Sequence, residues 1–300
     1  MFDTPILYLV FNRPEETALS FEKIRMIRPL KLFIASDGPR KDHKTDFENC
    51  KSVISIIQAG LDWKCEVHYL IREENLGCGR AVSQAIDWFF QHVEKGIILE
   101  DDCLPAETFF PFCAELLLKY LNSENVTHIS GHNNQMGYKR GSNDYYFSRI
   151  VNIWGWATWR RAWKKYNFNF ENVELLKKHP KHHNFPISNL DDFVSGAIDT
   201  WDTQWLFTNF INNRYAISPN INLVQNIGFN STATHTNFNP PGYFLKNYNG
   251  ELTFPLKHPK KIQFNELADE HAAAYVFKVR EASFLLKILN RLHKVLSLFV

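Results

Sequence analysis

The chain has 300 residues, enough for one large domain or two ordinary ones. With 45% hydrophobic and 22% charged residues it is neither a collagen, nor a disordered chain, nor a coiled-coil rod. Its 34 Lys and Arg stand against 32 Asp and Glu, a formal charge of +2, which supplies no global attraction to nucleic acid.

In chain order, Ile6–Phe11 reads as a short buried strand and ends in Asn-Arg-Pro. A helix follows from Glu15 to Ile27, behind Pro14, a good first-turn residue. Leu32–Ala35 is a second strand, and a helix over Phe47–Ala59 puts Val53, Ile54 and Ile57 on one face. Val67–Ile71 is a third strand. Ala81, Val82, Ala85, Ile86 and Phe89 then form the apolar stripe of a third helix. Ile97–Leu99 is a fourth strand, Pro105–Leu121 a fourth helix, and His128–Ser130 a weaker fifth strand. This alternation predicts an α/β fold: a mostly parallel central sheet with helices on both faces, whose ligands bind at the carboxyl ends of the strands.

After residue 130 the pattern changes. Residues 131–146 read as a loop, Trp154–Tyr166 is aromatic and basic, and residues 219–260 suggest long loops over a site. His179, His182 and His183 lack an accompanying carboxylate or Cys and read as a solvated loop, not a metal site. From Glu281 to Val300 an amphipathic helix is predicted. It carries Phe284, Leu285, Ile288, Leu289, Leu292, Val295, Leu296 and Phe299 on one face, with Lys287, Arg291 and Lys294 off it. Such a basic helix suits a membrane interface, and equally a helix packed on its own domain or on a partner chain. The division that follows is a catalytic domain over 1–260, split near residue 130, a linker over 261–280, and the tail helix over 281–300.

The five cysteines, an odd number without a C-x-x-C pair, read as reduced thiols. There is no basic signal-peptide start and no stretch of 18 uncharged apolar residues. The expectation is a cytoplasmic protein, soluble or held peripherally on the inner face of the membrane.

The strongest chemical signal is Glu100-Asp101-Asp102, three carboxylates directly after an apolar strand. Adjacent like charges raise one another's pKa and call for a compensating cation. Mn²⁺ or Mg²⁺ shared with substrate phosphates fits, and a solvated helix-capping turn is the alternative. The other strand ends are also polar: Asn12-Arg13, then Asp37-Gly38-Pro39-Arg40, then Gly77-Cys78-Gly79-Arg80 at a helix N-terminus, where anions bind.

Taken together these pieces resemble the GT-A nucleotide-diphosphosugar transferases, especially the N-acetylglucosaminyltransferase I type. Glu100-Asp101-Asp102 resembles that group's form of the DXD motif, and Phe11-Asn12-Arg13-Pro14 its first nucleotide loop. Asp37 resembles the nucleobase-contacting Asp. Ile129 to Asn134 resembles the strand and Asn-rich turn that follow the metal motif. Trp154-Gly155-Trp156 with Trp163 resembles the acceptor-side segment, and Trp201-Asp202 with Trp205 the pair that carries the catalytic base.

The resemblance implies a hexosyltransferase-class enzyme, a metal-dependent inverting glycosyltransferase of surface polysaccharide or glycolipid assembly. Asp102 would ligate the metal, and Glu100 and Asp101 would accept from sugar and ribose hydroxyls. Arg13, Asp37 and Arg80 would hold the nucleotide. Asp202 would be the base, with Asp199 as its rival because the Trp-Asp-Thr-Gln-Trp spacing is one residue longer than the family pattern. Trp154, Trp156 and Trp201 would stack on sugars, and His235 would reach the diphosphate or metal. The donor would be a nucleotide-diphosphosugar, a UDP-sugar first, and the acceptor a sugar or lipid-linked sugar, with no nucleic-acid partner. A Golgi-type stem or anchor is not expected. A sugar nucleotidyltransferase, or a non-catalytic carbohydrate-binding protein, is the alternative.

Overall fold

The computed structural model describes residues 2–187, 190–229 and 250–296, the last six of these by their backbone alone. The amino-terminal part alternates as the hydrophobic pattern predicts. Its elements are β1 (Ile6–Val10), α1 (Pro14–Ile27), β2 (Lys31–Ser36), α2 (Asp46–Gly60), β3 (Glu66–Ile71), α3 (Cys78–His92) and β4 (Lys95–Glu100). Next come β5 (Cys103–Pro105), α4 (Phe109–Lys119), β6 (Val126–Ser130), β7 (Tyr145–Ser148), β8 (Trp156–Trp159) and α5 (Arg160–Trp163). The series ends with α6 (Glu174–Lys178), α7 (Leu190–Val194), α8 (Asp202–Ile211), β9 (Tyr215–Pro219) and β10 (Val224–Asn226).

Eight strands form one sheet in the order β3-β2-β1-β4-β8-β6-β9-β7. β1 pairs in parallel with β2 and β4, β2 with β3, and β6 with β9. β8 runs antiparallel between β4 and β6, and β7 is an antiparallel edge on β9. All five sequence-predicted strands lie in this sheet, and the α/β class holds.

The reason is visible in β1, where every residue is buried. Alternate side chains point to opposite faces. Ile6, Tyr8 and Val10 join a core with Ile24 of α1, Val53 and Ile57 of α2 and Leu116 of α4. Leu7 and Leu9 join the opposite core with Ile86 and Phe89 of α3 and Trp205 of α8. A strand buried on both faces has to be continuously apolar, which is why these strands were legible.

Two boundaries differ from the sequence reading. The fourth helix begins at Phe109, not Pro105, because Cys103–Pro105 pairs antiparallel with Val224–Asn226 and Ala106 N–H donates to Leu223 O at 2.7 Å. Residues 261–280 are not a linker. Asn265 N–H donates to Phe147 O at 2.8 Å, and Asp269, fully buried, accepts from Ser148 Oγ at 2.6 Å and pairs with Arg149. Ala272 enters the core on the α3 side.

The tail helix runs over Phe284–Leu296. Leu286 is fully buried while Phe284, Leu285 and Ile288 are exposed, so the described part of the helix docks by Leu286 and shows these three side chains to solvent. Among the described residues no helix is long and apolar enough to cross a membrane.

Candidate functional site

The carboxyl ends of β1 to β4 open into one cleft of about 510 Å³. Phe11 and Arg13 enter it after β1, Asp37 and Arg40 after β2, and Arg72 and Asn75 after β3. Glu100, Asp101 and Asp102 enter after β4. The far wall is Trp154 with the segment Asp199 to Asp202, and Asn226 and Gly228 close it beyond β10.

The acidic run is held from several sides. Arg13 Nη1 lies 2.8 Å from Asp102 Oδ2 and 3.4 Å from Asp101 Oδ1. Phe11 N–H donates to Asp101 Oδ2 at 3.0 Å, and Ser20 Oγ donates to the Asp101 carbonyl at 2.8 Å. Asp101 is therefore a buried structural carboxylate joining β1, α1 and β4. Burial, opposed by Arg13 and reinforced by Asp102, pushes it up to about 7. Burial together with Asp102, Asp101 and Asp202 raises Glu100 well above the carboxylate range. The same carboxylates keep Arg13 charged against its own burial.

β10 closes this turn from the other side. Ile227 N–H donates to Asp102 O at 2.8 Å. At Gly228 a Cβ would stand 2.5 Å from Asp102 Oδ2, so a larger residue would displace the carboxylate.

Among the described residues no three His, Cys, Asp or Glu side chains converge on a common cation position. Asp102 offers one carboxylate, its Oδ2 paired with Arg13, and the other carboxylates that line the cleft do not converge with it on one position. That fits a Mg²⁺ or Mn²⁺ that completes its shell from phosphate oxygens and water, and does not fit a protein-only cage.

Asp37 is saturated within the chain. Its carboxylate accepts from Gly38 N–H at 3.0 Å, from Leu76 N–H at 3.0 and 3.1 Å, and from Asn75 Nδ2 at 2.9 Å. It ties the β2 end to the loop after β3. Asn75 donates its other amide hydrogen to Gly38 O at 2.8 Å. Arg40 is set by a two-point pair with buried Asp46, at 2.6 and 3.0 Å, and Asn12 donates to the same carboxylate at 2.7 Å.

The sequence reading put Arg40 and Asn75 in the polar strand ends without giving them a role, passed over Arg72, and assigned the nucleotide to Arg80 instead. Arg80 is exposed and absent from the cleft wall, its guanidinium 5.3 Å above the Phe168 ring. All four residues follow strands, so only the turn geometry separates them.

Asp199 and Asp202 have different surroundings. Asp199 Oδ1 accepts from Gly79 N–H at 3.0 Å, at the first turn of α3. Gly77 stands at φ +80°, and a Cβ there would meet Asp199 Oδ2 at 2.4 Å. Asp202 opens α8. Its Oδ1 accepts from Thr200 Oγ1 and from Thr203 N–H at 2.7 Å. Its Oδ2 has no hydrogen-bond partner among the described residues.

The tryptophans divide. Trp156 and Trp201 are buried, stacked on each other at 5.5 Å and 20°, inside an aromatic core with Trp163 and Trp205. Stacking on a sugar is closed to Trp156, which packs in the sheet and does not line the cleft. Trp201 lines the cleft with almost no exposed surface. Trp154 is part-exposed at the cleft, edge-on to Phe229 at 5.5 Å. The proposed His235 lies outside the described residues. His179 is buried and bonds Asn213 at 3.1 Å, so the solvated loop expected here holds for the exposed His182 and His183 but not for His179.

No family model and no curated protein matches the chain. Among solved structures it is similar to a UDP-glucose pyrophosphorylase complexed with UDP-glucose, at 12% identity over 73% of this chain and 90% of that one, TM-score 0.38. It is also similar to mouse xyloside xylosyltransferase 1 in its apo form, at 10% identity over 71% and 82% of the two chains, TM-score 0.36. HddC from Yersinia pseudotuberculosis aligns at 12% identity over 56% and 84%, TM-score 0.34. At such scores no role passes from those proteins to a residue of this one.

Proposed function

We propose that the protein is a metal-dependent inverting glycosyltransferase that moves a sugar from a nucleotide-diphosphosugar, a UDP-sugar first, to a hydroxyl acceptor. The observation that carries this reading is the cleft itself. It gathers the polar ends of β1, β2 and β3 with Glu100–Asp102 of the fourth strand end on one wall and Asp202, with an unpartnered Oδ2, on the other.

Asp102 would hold Mn²⁺ or Mg²⁺ together with the donor diphosphate. A cation held there would supply charge neutralisation for the departing nucleoside diphosphate. Arg13, already drawn to the acidic run, neutralises part of that wall, and Arg40 and Arg72 face the nucleotide. Asp202 Oδ2 takes the proton of the acceptor hydroxyl. The acceptor oxygen bonds the anomeric carbon from the face opposite the leaving group, and the anomeric C–O bond to the diphosphate breaks. Proton removal of this kind is worth roughly 10²–10⁴-fold. A water admitted in place of the acceptor would give slow donor hydrolysis.

The setting would be surface polysaccharide or glycolipid assembly at the cytoplasmic face. The exposed Phe284, Leu285 and Ile288 would enter the membrane boundary there. The test is a thermal-shift screen of nucleotide-sugars with Mn²⁺, followed by product analysis by NMR. Stabilisation by one donor and a product of inverted anomeric configuration support the reading. No stabilisation by any nucleotide-sugar overturns it.

A further inference from the structure

A second pocket, of about 180 Å³, adjoins the cleft and shares Ile153, Trp154 and Asp202 with it. Its remaining polar members are few: Thr203, bonded to Asp202, and a group of three bonded to one another. His132 Nε2 lies 3.4 Å from Asn134 Oδ1, and Asn134 bonds the Asn152 side chain. Asn152 is itself fixed by its N–H to Ser130 Oγ at 3.2 Å. Burial holds the His132 imidazole neutral, down at about 3. The pocket therefore offers one compact uncharged polar patch beside the Asp202 carboxylate. Apart from Thr203, whose hydroxyl lies 3.3 Å from Asp202 Oδ1, the rest of the wall is apolar, with Val151, Ile153, Ile187, Leu206 and Phe277 among its members. Phe277 comes from the segment after the helix Glu266–His271, so the carboxyl-terminal part of the chain helps to build this pocket.

The volume limits the occupant. An apolar protein cavity of about 150 Å³ admits benzene. A pocket of about 180 Å³ takes one six-membered ring within it, and any further part of the acceptor would extend out of it. The chemistry limits it further. A hydroxyl pressed on the Leu206–Phe277 wall would lose its water without gaining a partner, whereas a methyl group loses nothing.

We propose that this pocket seats the acceptor as a single pyranose bearing an apolar substituent, in the simplest case the C-methyl of a 6-deoxyhexose. The hydroxyls lie on the His132–Asn134–Asn152 patch, and one of them faces Asp202. This assignment rests on the glycosyl-transfer reading above and adds the acceptor class to it.

The experiment is saturation-transfer NMR on the full chain with methyl glycosides in matched pairs, each 6-deoxyhexoside beside its parent hexoside. In the wild type the C6 methyl should be the most strongly saturated group in at least one pair. That deoxy sugar should bind about tenfold more tightly than its parent, since its methyl replaces a hydroxyl that the wall cannot satisfy. Leu206→Ala and Phe277→Ala, each verified as folded by its thermal midpoint, should both lose the methyl saturation and the preference. Equal binding of every pair, no binding of any, or a preference that survives both substitutions overturns the proposal. Nucleotide-sugar binding by the wild type is measured alongside. If it persists while the pairs bind equally, the acceptor assignment alone fails; if it is absent, the transferase reading fails.

Discussion

Asp199 Oδ1 accepts the backbone N–H of Gly79 at 3.0 Å, so a carboxylate of the chain itself occupies the first turn of α3. That turn has the glycine spacing and helix-end polarity of an anion site, and the anion it receives is internal. The same contact separates the two candidate bases. Asp199 behaves as a helix cap, whereas Asp202 keeps one oxygen unpartnered at the cleft.

Substitution should separate the two aspartates. Asp199→Ala should cost about 1 kcal/mol of stability, as cap removal does, with kcat reduced only modestly. Asp202→Asn should keep donor affinity and lose transfer by roughly 10²–10⁴-fold. Thermal unfolding and steady-state kinetics on both variants check this. A dead Asp199 variant beside an active Asp202 variant would reverse the assignment.

Asp102→Ala should abolish Mn²⁺-dependent binding of a nucleoside diphosphate in calorimetry while the fold persists. Asp102 is half-buried, and its removal leaves Asp101 to balance Arg13, so the structural loss should be small. Arg13→Ala should behave differently. It leaves Glu100, Asp101 and Asp102 without their shared guanidinium, and removing one partner of a buried ion pair costs about 3–5 kcal/mol. A folded Arg13→Ala protein of unchanged midpoint would show that another cation balances the acidic turn.

Much of the donor half was legible in the sequence because its strands are buried on both faces. A strand such as Ile6–Val10 has to be apolar throughout, and the first polar residue after it marks the sheet edge. That logic found Arg13, Asp37 and Glu100–Asp102. It did not find β7, β8, β9 or β10, which are three to five residues long and lie amid aromatic and polar stretches. It misread Pro105 because pairing with Val224 is a contact across more than a hundred residues, invisible to local periodicity. It gave Asp37 to the nucleobase, and could not show that the carboxylate, which does line the cleft, also accepts from Gly38, Asn75 and Leu76. Residue type alone does not say whether a polar group is already satisfied.

That saturation of Asp37 has a measurable consequence. Asp37→Ala frees Leu76 N–H and the Asn75 amide, so the loop carrying Asn75 and Gly77 loses its anchor. Nucleotide affinity should fall at least tenfold, and amide exchange at residues 74–78 should quicken even without ligand. Were Asp37 a base contact only, affinity would fall and exchange in the unliganded protein would stay as in the wild type.

The tail helix carries a prediction of its own. Phe284 is 80% exposed and Leu285 57%, while Leu286 is fully buried. With Lys287 beside them, and Arg291 and Lys294 farther along the chain, the exposed face should hold the protein on anionic vesicles, each basic residue adding about 1 kcal/mol at the surface. Truncation after Arg280 should release it without loss of nucleotide affinity in a flotation and calorimetry pair. Full-length protein that ignores anionic vesicles at low salt would make the helix a docking element between chains.

The buried histidine of β6 contributes to the acid side of the stability profile. His128 is fully buried. Its Nε2 lies 3.0 Å from Asn152 O, to which it donates, and its Nδ1 accepts from Trp205 Nε1 at 3.1 Å. A second proton has no room on Nδ1, because that lone pair already receives the indole N–H. Burial accordingly lowers the imidazole to about 3. In the unfolded chain His titrates near 6.5, so between about 6.5 and 3 the unfolded state holds a proton that the folded state refuses. The folded state's advantage is complete above pH 6.5 and is lost as pH falls toward 3, at about 1.4 kcal/mol per unit. At pH 5 the loss should be about 2 kcal/mol. His128→Asn, whose Oδ1 can still accept from Trp205, should be less stable than the wild type at pH 8 and should lose less on going to pH 5. Urea unfolding of both proteins at the two pH values measures the difference directly. His132 and His271, lowered in the same way, remain in both proteins and cancel. Equal losses in the two proteins would mean that His128 is charged in the fold, and that Trp205 is not its donor.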